Sequence, residues 1–282
     1  HLFTRWGATA APKVMADVDG EQERIFGWDT PAVGGAYTEF LSCYLPALTV
    51  QLREWGIAED TVFHISDEPT AEQMDSYAAA RESVLPYLKG FPIMDALSDY
   101  SFYEAGAVEQ PVCANDHIEP FLSKGVQNLW AYYCTAQNID VSNRFFSMPS
   151  ARNRVFGLQL FKYDIKGMLH WGYNFYNVQN YLYPVNPYLE TGAGGAFPGG
   201  DPFLVYPKAD GTPEESIRMM VLDQAMNDLR ALQLLAAKIG REQTVRLMEE
   251  ELEEPITFKR YPTSAEWLIG LRNKVNGMLS RL

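Results

Sequence analysis

The chain lacks long hydrophobic runs. No stretch of about 18 apolar residues occurs in its 282 positions, so no segment reads as a membrane-spanning helix. Cysteine is scarce: Cys43, Cys113 and Cys134 stand far apart among apolar neighbours, without CxxC or Cys/His ligand spacing. They read as buried free thiols rather than a disulfide or a zinc site. Positive charge is short as well, with 23 Lys and Arg against 36 Asp and Glu and a net charge of -13. That balance argues against nucleic acid or an anionic membrane as partner, and its ordinary meaning is solubility. No P-loop, dinucleotide fingerprint, nucleophile elbow or zinc motif is present, and no ligand cluster implies a metal or cofactor. No repeat or low-complexity tract appears. The first residue is His, and no signal-peptide pattern follows it, so the chain reads as a fragment or processed form whose compartment stays open.

Apolar residues, by contrast, make up 47% of the chain, enough for a large core, and aromatics are plentiful at 6 Trp, 16 Tyr and 15 Phe. Many of these rings fall near strand ends. The central stretch is Thr61-Val-Phe-His-Ile-Ser-Asp-Glu-Pro69. Its β-branched and aromatic residues read as a buried strand over Thr61 to Ile65. Pro69 stops it, so Asp67 and Glu68 sit at the strand tip. Thr70-Ala-Glu-Gln73 then resembles a capping box that opens a helix over roughly 71–89.

The rest of the chain alternates in the same way. Residues 1–35 hold short apolar pieces, with Ile25 to Trp28 the best strand among them. Tyr37 to Trp55 has helical spacing, and Pro46 inside it should kink or divide it. Strands are expected at Pro92 to Leu97, Pro111 to Ala114, Gln127 to Cys134 and Gly167 to Tyr173, and a helix at Arg152 to Asp164. Residues 176–212 read as a long loop, of a length that is usually functional or disordered, with one strand at Phe203 to Tyr206. Thr212-Pro-Glu-Glu215 reads as a helix start, and a second helix follows over Glu242 to Leu252. Thr263-Ser-Ala-Glu266 opens the last helix. Strand–helix alternation points to a parallel α/β sheet and, with acidic strand tips, to a (β/α)8 TIM-type barrel. Fewer strands are legible than the eight such a barrel needs: either the weak pieces in 1–35 supply more of them or, the favoured expectation, the first strands lie upstream. The expected domain is one barrel over 1–282, with a helical part at about 212–282.

Paired carboxylates repel, so one stays protonated and can act as an acid. A plain acidic turn is the competing reading. Other tips add Asp99, Tyr100 and Tyr103, then Trp130, Tyr132 and Tyr133, then His170, Trp171, Tyr173 and Asn174. Aromatics with a few amides and carboxylates suit a sugar, whose C–H faces stack on rings while its hydroxyls need hydrogen bonds. Core packing is the alternative for each ring, and a satisfied core histidine is the alternative for His64 and His170.

Four stretches, His64-Ile-Ser-Asp-Glu-Pro69, Gly167-Met-Leu-His-Trp-Gly-Tyr-Asn174, Gly200-Asp-Pro-Phe-Leu-Val-Tyr-Pro207 and Ser216-Ile-Arg218, resemble in order the landmarks of the glycoside hydrolase family 123 catalytic domain. The resemblance covers roughly 1–240. It implies a (β/α)8-type barrel, usually preceded by a β-sandwich domain, and a retaining exo-glycosidase acting on terminal β-linked N-acetylgalactosamine or a related 2-acetamido sugar. In the mechanism so implied, the substrate's own acetamido oxygen attacks the anomeric carbon, and no protein nucleophile is needed. Glu68 would then be the general acid/base, and Asp67 would hold the acetamido N–H. His64, Tyr103, Trp130, Tyr132, Tyr133, Trp171 and Asn174 would contact the sugar, and the partner would be a glycan or glycoconjugate. Two alternatives remain: a glycosidase with a separate nucleophile such as Asp99 or Glu104, and a non-catalytic carbohydrate-binding protein. Aglycone, linkage and oligomeric state stay open.

Overall fold

In the computed structural model, which describes residues 1–4 and 6–282, the Asp19-Gly20 pair turns the chain back on itself. Both residues take left-handed backbone, at φ 54° and 88°, as a two-residue hairpin turn requires. Strands β1 (Val14–Val18) and β2 (Glu21–Phe26) pair antiparallel across it. The hairpin is mostly exposed, so turn chemistry marks it and apolar alternation does not. Helix α1 (Gly35–Glu54) follows and buries Tyr37, Leu41, Leu45, Thr49 and Leu52. These lie four or three residues apart, along one helix face. Pro46 lies within this helix without dividing it. Proline removes one backbone hydrogen bond, and the continuous buried face on either side holds the helix together.

The chain divides into two compact units, 1–130 and 131–282. In the first, Thr70 opens a 3-10 turn at Ala71–Gln73 with the expected capping box: the Thr70 N–H donates to Gln73 Oε1 at 2.9 Å. Helix α2 (Met74–Val84) continues from it. Strand β3 (Met94–Leu97) is buried at every position. After the short helix α3 (Ser101–Glu104), strand β4 (Gln110–Ala114) pairs with β3 in parallel. Helix α4 (Glu119–Ser123) closes this pattern. Cys113 is buried in β4, whereas Cys43 is exposed on the outer side of α1, a correction to its expected burial.

The second unit begins within β5 (Trp130–Tyr133). The expected helix at 152–164 is split at Val155 into α5 (Ser150–Arg154) and α6 (Phe156–Lys162). Residues Phe156 to Phe161 of α6 are all buried, as expected of a helix enclosed on every side. Gly157 permits this, because a Cβ there would overlap the Ala225 carbonyl oxygen. Strand β6 (Gly167–His170) neighbours β5. The long segment after it is largely irregular, and it ends in β7 (Val205–Pro207).

The expected helix start at Thr212-Pro-Glu-Glu215 is instead a strand, β8 (Pro213–Glu215), antiparallel to β7. The helix begins one cap later. Ser216 accepts a hydrogen bond from the Met219 N–H, and α7 (Ile217–Ile239) runs from there. Helices α8 (Arg241–Glu249) and α9 (Ala265–Leu279) follow, the latter capped by Ser264. Their core includes Val155, Leu158, Phe161, Leu232, Leu235, Met248, Leu268 and Val275.

The strands thus fall into one four-stranded sheet, β3 to β6, and two antiparallel pairs. The protein is mixed α/β with a parallel four-stranded sheet, short of the eight parallel strands of a closed barrel. Among the described residues, no helix is long and apolar enough to cross a membrane.

Candidate active site

The segment expected to be a strand at Thr61 to Ile65 is extended and hydrogen-bonded on both edges. Phe63 N–H donates to the Pro92 carbonyl, and Met94 N–H to the Phe63 carbonyl, each at 3.0 Å. On the opposite edge, Leu2 N–H donates to His64 O at 2.7 Å and Phe3 N–H to Ile65 O at 3.0 Å. Regular pairing with β3 is confined to one bridge, Phe63 to Ile93. It stops because the next inward N–H, that of Ile65, donates to the Asp95 carboxylate, at 3.0 and 3.1 Å from its two oxygens. A side-chain acceptor has replaced a main-chain one. The chain then bends at Asp67 and Glu68, as the acidic tip predicted.

Glu68 sits in left-handed backbone at φ 39°. For a residue with a Cβ this costs on the order of 1–3 kcal/mol, a strain usually held only where the surrounding structure enforces it. It also breaks the alternation of side chains that extended backbone would impose on Asp67 and Glu68. Glu68 is half-buried. The Asp67 side chain is 56% exposed, with Oδ1 3.6 Å from His1 Nε2. Crowding by protein atoms raises its pKa, while the N-terminal ammonium and then His64 oppose the rise. With more than half of the side chain in water, screening keeps the stability consequence small.

Asp95 lies behind this tip, fully buried. Besides Ile65, it receives the Tyr77 hydroxyl at 2.5 Å on Oδ2. His64 Nδ1 stands 3.5 Å from its Oδ1, at ion-pair rather than hydrogen-bond distance. The His64 ring also meets the His1 ring edge-on at 5.4 Å. Burial pushes the Asp95 carboxyl up, and His64, Tyr77 and the Ile65 N–H pull it down. Burial, then the Asp95 charge, push the Tyr77 hydroxyl up. Sequence reasoning passed over Asp95. The available signal was a carboxylate inside the apolar run Ile93 to Leu97, since carboxylates are seldom fully buried unless paired.

Asp99 is the candidate for a separate nucleophile. Its Oδ1 accepts the Ser101 N–H at 2.9 Å. Hydrogen bonds from Ser101, and one from Ala71 N–H, hold its pKa below the usual range. Glu104 is exposed on α3. Tyr103 is half-buried in a cluster with Tyr100 and Phe121, at centroid distances of 5.9 and 6.4 Å. Trp130 is half-buried.

In the second unit, the sequence candidates surround a buried ion pair. Arg144 Nη1 donates to Asp201 Oδ1 at 2.8 Å, and both side chains are 0% exposed. The Arg144 guanidinium also donates to Asn143 Oδ1 and to the Trp171 and Asp201 carbonyls. Asp201 further receives the Thr135 hydroxyl at 2.5 Å and the Trp171 indole N–H at 3.1 and 3.2 Å. Trp171 is thereby fixed by its N–H, and its ring meets Phe197 edge-on at 5.1 Å. Gly172 follows in left-handed backbone at φ 69°, where a Cβ would overlap the Asp201 carbonyl oxygen.

Asn174 is exposed. Tyr132 is buried, as is Tyr133, whose hydroxyl donates to Asn153 Oδ1 at 3.1 Å. Tyr133 lies beneath Arg144 and edge-on to His170. Tyr133 is therefore packed in the core of this unit. Both ring nitrogens of His170 are buried without a hydrogen-bond partner, and burial, followed by Arg144 and Arg218, depresses its pKa to about 3. Among the described residues, no group of three His, Cys, Asp or Glu is placed to hold a metal ion.

Chemically, the first unit offers two adjacent carboxylates in unequal surroundings, with an imidazole at hand. Unequal environments are what separate an acid from a base.

A family model, the glycoside hydrolase 123 catalytic domain, matches residues 1–235. No curated protein matches the chain. Among solved structures, a family 123 glycoside hydrolase from Clostridium perfringens, studied for glycolipid glycan hydrolysis, is similar with a TM-score of 0.61 at 17% identity. The match covers 93% of this chain and 47% of that one, so the chain spans under half of its neighbour's length.

Proposed function

The chain belongs to glycoside hydrolase family 123, and from that premise we propose that it is a retaining exo-glycosidase for terminal β-linked N-acetylgalactosamine or a related 2-acetamido sugar. The observation that carries this reading is the bend at Asp67 and Glu68, where an extended segment bonded to Pro92–Met94 delivers two adjacent carboxylates and Glu68 is held at φ 39°. In the proposed reaction, the acetamido carbonyl oxygen attacks the anomeric carbon as Glu68 protonates the departing glycosidic oxygen. Asp67 accepts the acetamido N–H and stabilises the cyclic oxazolinium ion. Glu68, now a carboxylate, takes a proton from the water that reopens the ring, and configuration is retained.

The reading extends to a complete barrel and an upstream β-sandwich. In the first unit, which carries Asp67 and Glu68, Tyr103 and Trp130 keep part of their side chains at the surface, as sugar contact requires. The test is release of aglycone from aryl β-GalNAc and β-GlcNAc by wild type and Glu68→Gln. Loss of the general acid should lower kcat by about 10²–10⁴-fold, and undiminished turnover would remove Glu68 from this role. Inhibition by a thiazoline mimic of the cyclised intermediate is expected. Its failure, with a trapped glycosyl-Asp99, would favour the separate nucleophile.

A further inference from the structure

We propose that Asp95 is a positioning residue for the Asp67–Glu68 pair, setting the end of that segment through Ile65 and orienting the imidazole of His64. The inference rests on the reading of Asp67 and Glu68 as the reacting carboxylates. A carboxylate inside an apolar strand is costly unless its oxygens are bonded, and at Asp95 both are. One route is geometric. The Ile65 N–H is anchored by both oxygens, two residues before Asp67, so the bend starts from a point fixed to β3. The other is electrostatic. His64 lies 3.5 Å from Asp95 on one side and acts on Asp67 on the other.

Four groups face the His64 imidazole: Asp95 from β3, Tyr77 from α2 through its bond to Asp95, His1 from the first residues, and Asp67 from its own segment. Arg81 adds a positive charge near Tyr77. The Asp95 carboxylate holds the imidazole in place beside Asp67, whose ionised form is favoured first by the N-terminal ammonium and then by His64. Removing the Asp95 carboxylate frees the imidazole to leave Asp67, and loss of that neighbouring positive charge moves the acid limb of the rate profile to higher pH.

A residue that only braced the fold would lower stability and leave that limb in place. The experiment compares Asp95→Asn, Tyr77→Phe and Glu68→Gln with wild type in the full chain, using aryl β-GalNAc and β-GlcNAc across pH. In parallel, the four histidines are titrated by NMR, with His64 assigned through His64→Gln. For Asp95→Asn we expect kcat to fall about 10- to 100-fold with KM little changed. The acid limb should shift upward and the His64 titration midpoint should fall. Tyr77→Phe should move both in the same directions by less, and it decides the matter if Asp95→Asn does not fold. A His64 midpoint unmoved in a folded variant overturns the proposal whatever the activity. So does a lowered kcat whose acid limb stays in place. Full activity in Glu68→Gln with a shifted His64 midpoint would instead refute the reading of the carboxylates, leaving the Asp95–His64 coupling intact.

Discussion

Replacing Asp201 with alanine removes the only carboxylate facing the buried Arg144 guanidinium among the contacts described. Both side chains are 0% exposed, so no solvent stands ready to take over. The guanidinium would keep its hydrogen bonds to Asn143 and to the Trp171 and Asp201 carbonyls, yet its charge would be uncompensated. Removing one partner of such a pair costs about 3–5 kcal/mol. The Thr135 hydroxyl and the Trp171 indole N–H also lose their acceptor. Both residues are only part-buried, so water offsets much of that second loss. The expected destabilisation is therefore at least about 4 kcal/mol, most of it the orphaned charge.

Urea unfolding at pH 7, followed by far-UV circular dichroism and tryptophan fluorescence, measures it. The two probes must coincide for a single free energy to be defined. Asp201→Asn should recover only the smaller part of this loss, because an oxygen remains to accept from Thr135 and Trp171 while the guanidinium charge stays unpaired. The double replacement Arg144→Met with Asp201→Leu should recover much of the loss, since an apolar pair of similar volume carries no buried charge. A loss under about 1 kcal/mol in Asp201→Ala would refute the reasoning, as would a double variant no better than the single one.

Gly172→Ala should destabilise by about 2 kcal/mol or more, from the left-handed backbone at φ 69° and the overlap with the Asp201 carbonyl; an unchanged unfolding midpoint would contradict this. Gly157→Ala gains up to about 1 kcal/mol of helix propensity but drives a methyl into the Ala225 carbonyl. Net destabilisation is expected, and a rise in Tm would show that α6 and α7 have room to separate. For His170, burial depresses the imidazole to about 3. Its contribution is then fully present above the ordinary value near 6.5 and is lost as pH falls toward 3, because the unfolded chain binds a proton that the folded protein refuses. The slope from this group approaches about 1.4 kcal/mol per pH unit. His170→Phe should flatten stability against pH between about 4 and 6.5, and a slope equal to wild type would dispose of the assignment.

Local signals were legible where the deciding partner lies within a turn or two of chain. The Asp67-Glu68 tip, the Thr70–Gln73 capping box and the helical spacing of Tyr37 to Leu52 all read correctly, because pleat, cap and helix face depend on near neighbours. Where two local preferences competed, the longer-range one won. Thr212-Pro-Glu-Glu215 carries a helix-start pattern, yet pairing with β7 takes Pro213–Glu215 and Ser216 caps the helix instead. Alternation along a strand puts Tyr132 and Tyr133 on opposite faces, yet holds no information on whether either face meets solvent. Tertiary structure alone decided that both are buried. It also decided the two polar hubs. Asp95 reaches Ile65 across 30 residues, and Asp201 reaches Arg144 across 57. A buried carboxylate is tolerated only where donors converge on it, and convergence from distant parts of the chain is a property of packing, not of any window of sequence.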